Sequence, residues 1–269
     1  MTRDRIALLV FGCFPLAFFM VMAFFPGIFT SYGLKDMNKP WLTPSADHIL
    51  GTNSLGYDIF TELVYGAKET LLIGLASSLF MLALGAMIGM LSTLPGLPGI
   101  LFNGLINVFM LLPHLITLIV ISAFIGHSAA ELIILIALFG WVGTARNVRA
   151  RVIHLNSQPF IESCTIQGFS RIHVIFHHIL PNLYDLLLFR FLLGVNSCIM
   201  MESTLSFLGI GDVYTPTWGT MVNLAYKRGA FMRRAYNYLP PPGVCIMLLS
   251  LSFYFISMAV EARREQIDL

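Results

Sequence analysis

The feature that most constrains this chain is a series of predominantly apolar runs, each long enough to carry a helix across a bilayer. A hydrocarbon core of about 30 Å needs about 20 apolar residues in helical conformation. Six runs meet that need, over residues 6–28, 70–94, 100–125, 129–145, 183–210 and 239–260. Pro26 and Gly27 close the first, and Pro95, Gly96 and Pro98 turn the second into the third. Glu131 opens the fourth, and Arg146 is expected to end it. Charged residues make up only 11% of the chain, against roughly 25% in soluble domains, and the mean hydropathy is +0.80. A soluble globule is excluded, and an all-α integral membrane protein is expected.

The first run is preceded by Arg3 and Arg5, but it is too long for a signal peptide and no small-residue cleavage site follows, so it is read as a retained anchor. Cys13, Cys164, Cys198 and Cys245 are scattered, with no CxxC pair, which leaves no metal or disulfide framework. A net charge of +2 without a basic, aromatic-interleaved stripe argues against a nucleic-acid partner.

An even number of spans puts both termini on one side. Lys and Arg in the loops divide eight against seven, so the overall count does not set orientation. Clusters at the helix ends do, since Arg3 and Arg5 precede the first span and Arg263 and Arg264 follow the last. The termini are therefore expected in the cytoplasm of a multi-pass membrane protein. Three connections exceed turn length: 29–69 and 211–238 outside, and 146–182 inside. The expected organisation is an anchor helix with its external loop (1–68), a five-helix core (69–260) containing the cytoplasmic loop, and a short tail (261–269).

The inner loop is rich in helix punctuation. Pro159 suits a first helical turn, and Phe160, Ile161 and Cys164 fall on one side at i, i+1, i+4. Gly168 can supply a left-handed cap, and Ser170 can cap a second helix running to Pro181. Two short helices joined by a glycine elbow are expected at the membrane surface. On spacing alone, a connector lying along the headgroups and a docking surface for a cytosolic partner both remain open.

Within that loop Glu162-Ser163-Cys164, three residues, Gly168, nine residues and His178-Ile179-Leu180-Pro181 resembles the EAA signature of bacterial ABC importer permeases. Ser163 and Cys164 stand in place of two alanines, and His178 in place of an isoleucine. The outer stretch from His48 to Phe60, followed by Tyr65-Gly66-Ala67, resembles the HxLGTDxLGRDxxSRxxYGAR segment of peptide and nickel importer permeases, with Asn53 and Tyr57 replacing an Asp and an Arg. Glu202 to Gly211, then Pro216-Thr217-Trp218-Gly219-Thr220-Met221, resembles the EASLSFLGLG…PxWGxM run, and Leu239-Pro240-Pro241-Pro242-Gly243 opens the last span. The chain is identified as a member of the second, C-type permease group of dipeptide, oligopeptide or nickel ABC importers.

That resemblance implies a six-transmembrane-helix ABC importer permease with a cytoplasmic coupling helix. It also implies a paired B-type permease in a heterodimer, two ATPase subunits and an external substrate-binding protein. Residues 160–164 and Gly168 (Phe160, Ile161, Glu162, Ser163, Cys164) are the expected ATPase-coupling set, with Glu162 as a polar contact and Gly168 as the bend. No GxxxxGK[ST] loop occurs, so ATP and Mg are expected on the ATPase partners and no cofactor or catalytic residue in this chain. An intramembrane enzyme would need a GxSxG elbow or an HExxH pair, and neither is present. A stand-alone channel or secondary transporter is the other alternative, set against the lack of internal repeats.

Polar residues in the fifth span, Asn196, Glu202, Ser203 and Ser206, mark a candidate pathway face. Simple bonding of Glu202 to neighbouring hydroxyls is the competing reading. Arg190 is expected to snorkel or to pair with a neighbour, and Gly85 and Gly89 to pack helices. His173, His177 and His178 have chelating spacing but no carboxylate or thiol nearby, so no metal site is assigned, and His114 and His127 are read as packing residues. The outer run Lys227, Arg228, Arg233 and Arg234 is either a docking patch for the binding protein or an anionic ligand, or a solvated loop.

Overall fold

Hydrocarbon leaves no water to satisfy backbone polar groups, so the apolar runs must close their hydrogen bonds internally, as helices. A computed structural model describes residues 3–126, 128–212 and 214–267, without the side chains of residues 3, 4, 165, 172 and 263–267. The readings placed on His127 and on the side chains of Arg3, Arg263 and Arg264 lie outside the described residues.

The order is α1 (Arg3–Phe24), a 3₁₀ turn (Pro26–Ile28), α2 (Ile59–Leu91), α3 (Leu97–Leu111), α4 (His114–Ser122), α5 (Ala129–Gly140) and α6 (Val142–Asn156). Then come α7 (Pro159–Ile166), α8 (Arg171–Val174), a π-helical turn (Ile175–Ile179), α9 (Leu180–Asn182), α10 (Tyr184–Phe207), α11 (Trp218–Lys227) and α12 (Pro240–Ile267). Among the described residues four helices, α1, α2, α10 and α12, are each long and apolar enough to cross a membrane. The count reaches six when the bent pairs α3–α4 and α5–α6 are each taken as one crossing.

Three boundaries differ from the sequence expectation, each for a physical reason. The second span begins at Ile59 rather than residue 70, because Asp58 caps it: its Oδ1 accepts from Thr61 N at 2.8 Å. The third is not one straight helix. Pro113 has no N–H to offer, holds Leu112 in extended conformation, and the two halves meet at 86°. The fourth does not stop at Arg146, because α6 turns 43° at Trp141 and continues to Asn156, burying Val148, Val152 and Leu155 on one face. Its arginines are thereby kept off the buried side.

α10 lies between α2 and α12, α1 covers α12 and α2, and α5 and α6 pack on α2 from another side. Close approach of α2 to α6 rests on Gly85 and Gly89. A Cβ at Gly85 would stand 2.7 Å from Thr144 Cβ, and one at Gly89 would stand 2.7 Å from the Ala145 carbonyl oxygen. These two glycines are packing residues, as their spacing indicated. Arg5 Nε donates to the Ala259 carbonyl at 3.1 Å, so the start of α1 and the end of α12 lie side by side. By chain direction, that end of the bundle also carries α7 to α9, while the 29–58 segment and α11 cover the other end.

Candidate functional site

The chemistry-bearing residues gather at the two ends of the bundle. At the end covered by the 29–58 segment, polar side chains pair closely with one another and with the backbone. His48 Nδ1 lies 2.9 Å from Asp58 Oδ2 and stacks on Tyr32 with ring centroids 5.2 Å apart. Asn53 is a hub: its Oδ1 accepts from Leu55 N at 2.8 Å and Tyr57 N at 3.1 Å, and its Nδ2 donates to Glu62 Oε2 at 2.9 Å. Gly51 and Gly56, at φ +75° and +87°, let the chain double back where a Cβ would meet the Leu42 and Asn38 carbonyl oxygens at 2.3 and 2.1 Å. Trp218, wholly buried, donates from Nε1 to the Leu63 carbonyl at 2.9 Å and packs edge-on against Phe19, which locks α11 onto α2. Burial and the nearby Glu62 carboxylate push the Tyr238 phenol up, so it stays neutral beside this cap.

Asn53→Asp would set a carboxylate where an amide now donates to Glu62. The lost donor and the facing oxygens should lower the stability of the cap by about 1–3 kcal/mol, measurable as a lower thermal midpoint of the purified subunit. An unchanged midpoint would show that the amide contributes nothing.

Directly beneath, Glu202 is 0% exposed. Its Oε1 accepts from Ser206 Oγ at 2.8 Å and Thr217 Oγ1 at 2.7 Å, and its Oε2 accepts from Ser203 Oγ at 3.3 Å. Thr217 is also the N-cap of α11, accepting from Thr220 N and closing a reciprocal box with the Thr220 hydroxyl. Glu202 and Ser206, expected to face a pathway, are turned into the subunit, and Glu202 ties α10 to the start of α11. Asn196 and Ser203 are half-buried. The Thr217–Thr220 box is local in sequence, whereas the link from Thr217 to Glu202 is long-range and leaves no sequence signal.

At the opposite end, α7 begins at Pro159, and Ser163 Oγ donates to the Pro159 carbonyl at 2.9 Å. Gln167 N to the Ser163 carbonyl (3.0 Å) and Phe169 N to the Cys164 carbonyl (3.2 Å) close the helix around Gly168, whose φ is +82°. Ser170 Oγ accepts from His173 N at 3.3 Å, as a cap of the next segment. The elbow thus has its expected form, with one correction. Phe160, at 43% exposure, and Ile161, at 5%, do not share a face. Ile161 joins a buried apolar cluster with Val148, Val152 and Leu155 of α6, a cluster that continues through Ile179 and Leu183 to Leu186 of α10. Glu162 and Ser163 are exposed and Cys164 is half-buried. Exposed Phe160, Ile166, Phe169 and Phe176 surround the bend.

Phe169, His173 and His177 stack, with ring centroids 4.8 and 4.1 Å apart. Among the described residues no group of three or more His, Cys, Asp or Glu could hold a metal ion. On the other face Arg233 sits over the Trp41 ring, 4.9 Å from its centroid, so part of the outer basic run packs on the cap.

Residues 81–266 match the family described as binding-protein-dependent transport system inner membrane component. A dipeptide transport system permease protein of Alkalihalophilus pseudofirmus is 31% identical over 265 residues, covering 97% of this chain and 85% of that protein. An oligopeptide transport system permease protein of Lactococcus lactis is 28% identical over 98% of this chain and 91% of its own length. Among solved structures, the MetNI methionine ABC transporter in inward-facing conformations shares the fold, with a TM-score of 0.60 and 18% identity over 75% of this chain and 95% of that one.

Proposed function

The chain belongs to the binding-protein-dependent transport system inner membrane component family, and from that premise we propose that it is the C-type permease of an ATP-driven peptide importer. Its role as a multi-pass transmembrane permease subunit follows from the family and the helix bundle. The reading goes further: it pairs with a B-type permease, receives solute from an external binding protein, and is driven by two ATPase subunits that carry ATP and Mg. Both termini and the elbow face the cytoplasm in this assignment.

The carrying observation is the elbow. Its exposed rim, Phe160 with Glu162 and the residues flanking Gly168, is free to meet a partner, while Ile161 on the same short helix is buried in a cluster that runs through α6 to the start of α10. A push on the rim is thereby delivered to α10, through packed side chains that are not freely deformable. Peptide is favoured as cargo over nickel because relatives matched along nearly the whole chain are named as peptide permeases.

Affinity purification of the chain from its own host membranes should bring along two ATPase subunits and a second permease, and the binding protein associated with the complex should release a short peptide. Recovery of the chain alone, or a binding protein loaded with nickel, would overturn the respective part of the reading.

A further inference from the structure

Helices α4, α5, α6 and α10 line a cavity of about 380 Å³, within the size range of small-molecule sites. Its lining is mainly apolar, with a few polar residues, His114, Thr144, Arg190 and Ser197 among them. Arg190 Nε is buried and has no hydrogen-bond partner. Among the described residues, no Asp or Glu lines the cavity. Arg190 is half-buried, and a guanidinium nitrogen closed off from solvent without a partner is costly in a low-dielectric site, more so inside a bilayer.

Space has been kept for this side chain. A Cβ on Gly143 would stand 3.1 Å from the Arg190 guanidinium, and Gly140 and Gly194 line the same cavity. The nine-residue α4 begins at His114, itself a lining residue, so a positive half-helix end adds to the positive character there. The fixed fork of a guanidinium matches the two oxygens of a carboxylate.

Resting on the permease reading above, we propose that Arg190, within this cavity, is a recognition point for the carboxylate of the solute during its passage through the subunit. The cavity walls contact the rest of the solute, and the guanidinium selects its anionic end.

The test uses the complete assembly in phosphatidylcholine vesicles, with uptake of dialanine and ATPase activity stimulated by the loaded binding protein measured in parallel. Arg190→Gln should lower dialanine uptake at least about tenfold while stimulated ATPase stays within about twofold. Arg190→Lys, which keeps the charge but not the fork, should fall between the two. Equal loss of uptake and stimulated ATPase would assign the guanidinium to an ion pair with the second permease or to a lipid headgroup, and would overturn the proposal. Undiminished uptake in Arg190→Gln would overturn it while leaving the permease reading intact. Failure of the unsubstituted assembly to move dialanine would sink the peptide reading and this inference with it.

Discussion

Replacing Gly168 by valine should uncouple uptake from nucleotide hydrolysis while leaving the subunit inserted and folded. Gly168 sits at φ +82° with open space around its missing Cβ, so the penalty is one of backbone conformation rather than of collision. A left-handed conformation costs an ordinary L-residue roughly 1–2 kcal/mol, and a β-branched one more. That is enough to shift the population of the bent elbow by about tenfold or more. Uptake in reconstituted vesicles should fall by about that factor, with ATPase activity persisting but no longer stimulated by the loaded binding protein. Asparagine, which tolerates left-handed geometry, should retain most of the transport. Equal activity of the valine and glycine proteins would remove the bend from the mechanism.

The second large effect should come from Glu202→Ala. The substitution removes the acceptor for the Thr217 and Ser206 hydroxyls and opens a void where the side chain is wholly buried. Unpaired buried donors cost about 1–3 kcal/mol, and large-to-small core changes cost about 2–5 kcal/mol, so a loss of about 4 kcal/mol is expected. Because Thr217 caps α11, the damage should appear first as protease sensitivity between residues 211 and 218, and then as a lower thermal midpoint. Glu202→Gln keeps shape and one acceptor oxygen and should lose much less. A Glu202→Ala protein of normal stability but impaired transport would return this residue to the solute pathway.

The bundle was legible in the sequence because bilayer thickness leaves a strong imprint on hydropathy. Hydropathy does not register backbone geometry, however, so Pro113 lay unnoticed inside an apolar run although it bends the third crossing by 86°. The start of α2 was hidden for the opposite reason. Glu62, Lys68 and Glu69 made residues 59–69 look like loop, whereas Asp58 caps the helix and Asn53 satisfies the buried Glu62. At the elbow, proline, glycine and serine announced both helix starts and the bend between them. What spacing did not settle was the side on which Ile161 would lie. Adjacent residues on a helix point about 100° apart, and only the packing of α6 and α10 decides which is buried. Glu202 was visible as a polar residue within a span. Whether such a carboxyl faces solute or neighbouring hydroxyls depends on a contact with Thr217, fifteen residues away.

The central claim is that the elbow transmits work done elsewhere. The most direct measurement is dialanine uptake by vesicles containing both permeases and the loaded binding protein, with and without the two ATPase subunits and ATP. Concentrative uptake that appears only with ATPases and hydrolysable ATP, and falls about tenfold when Gly168→Val replaces the native chain, is the predicted result. Concentrative uptake by the permeases alone would contradict it.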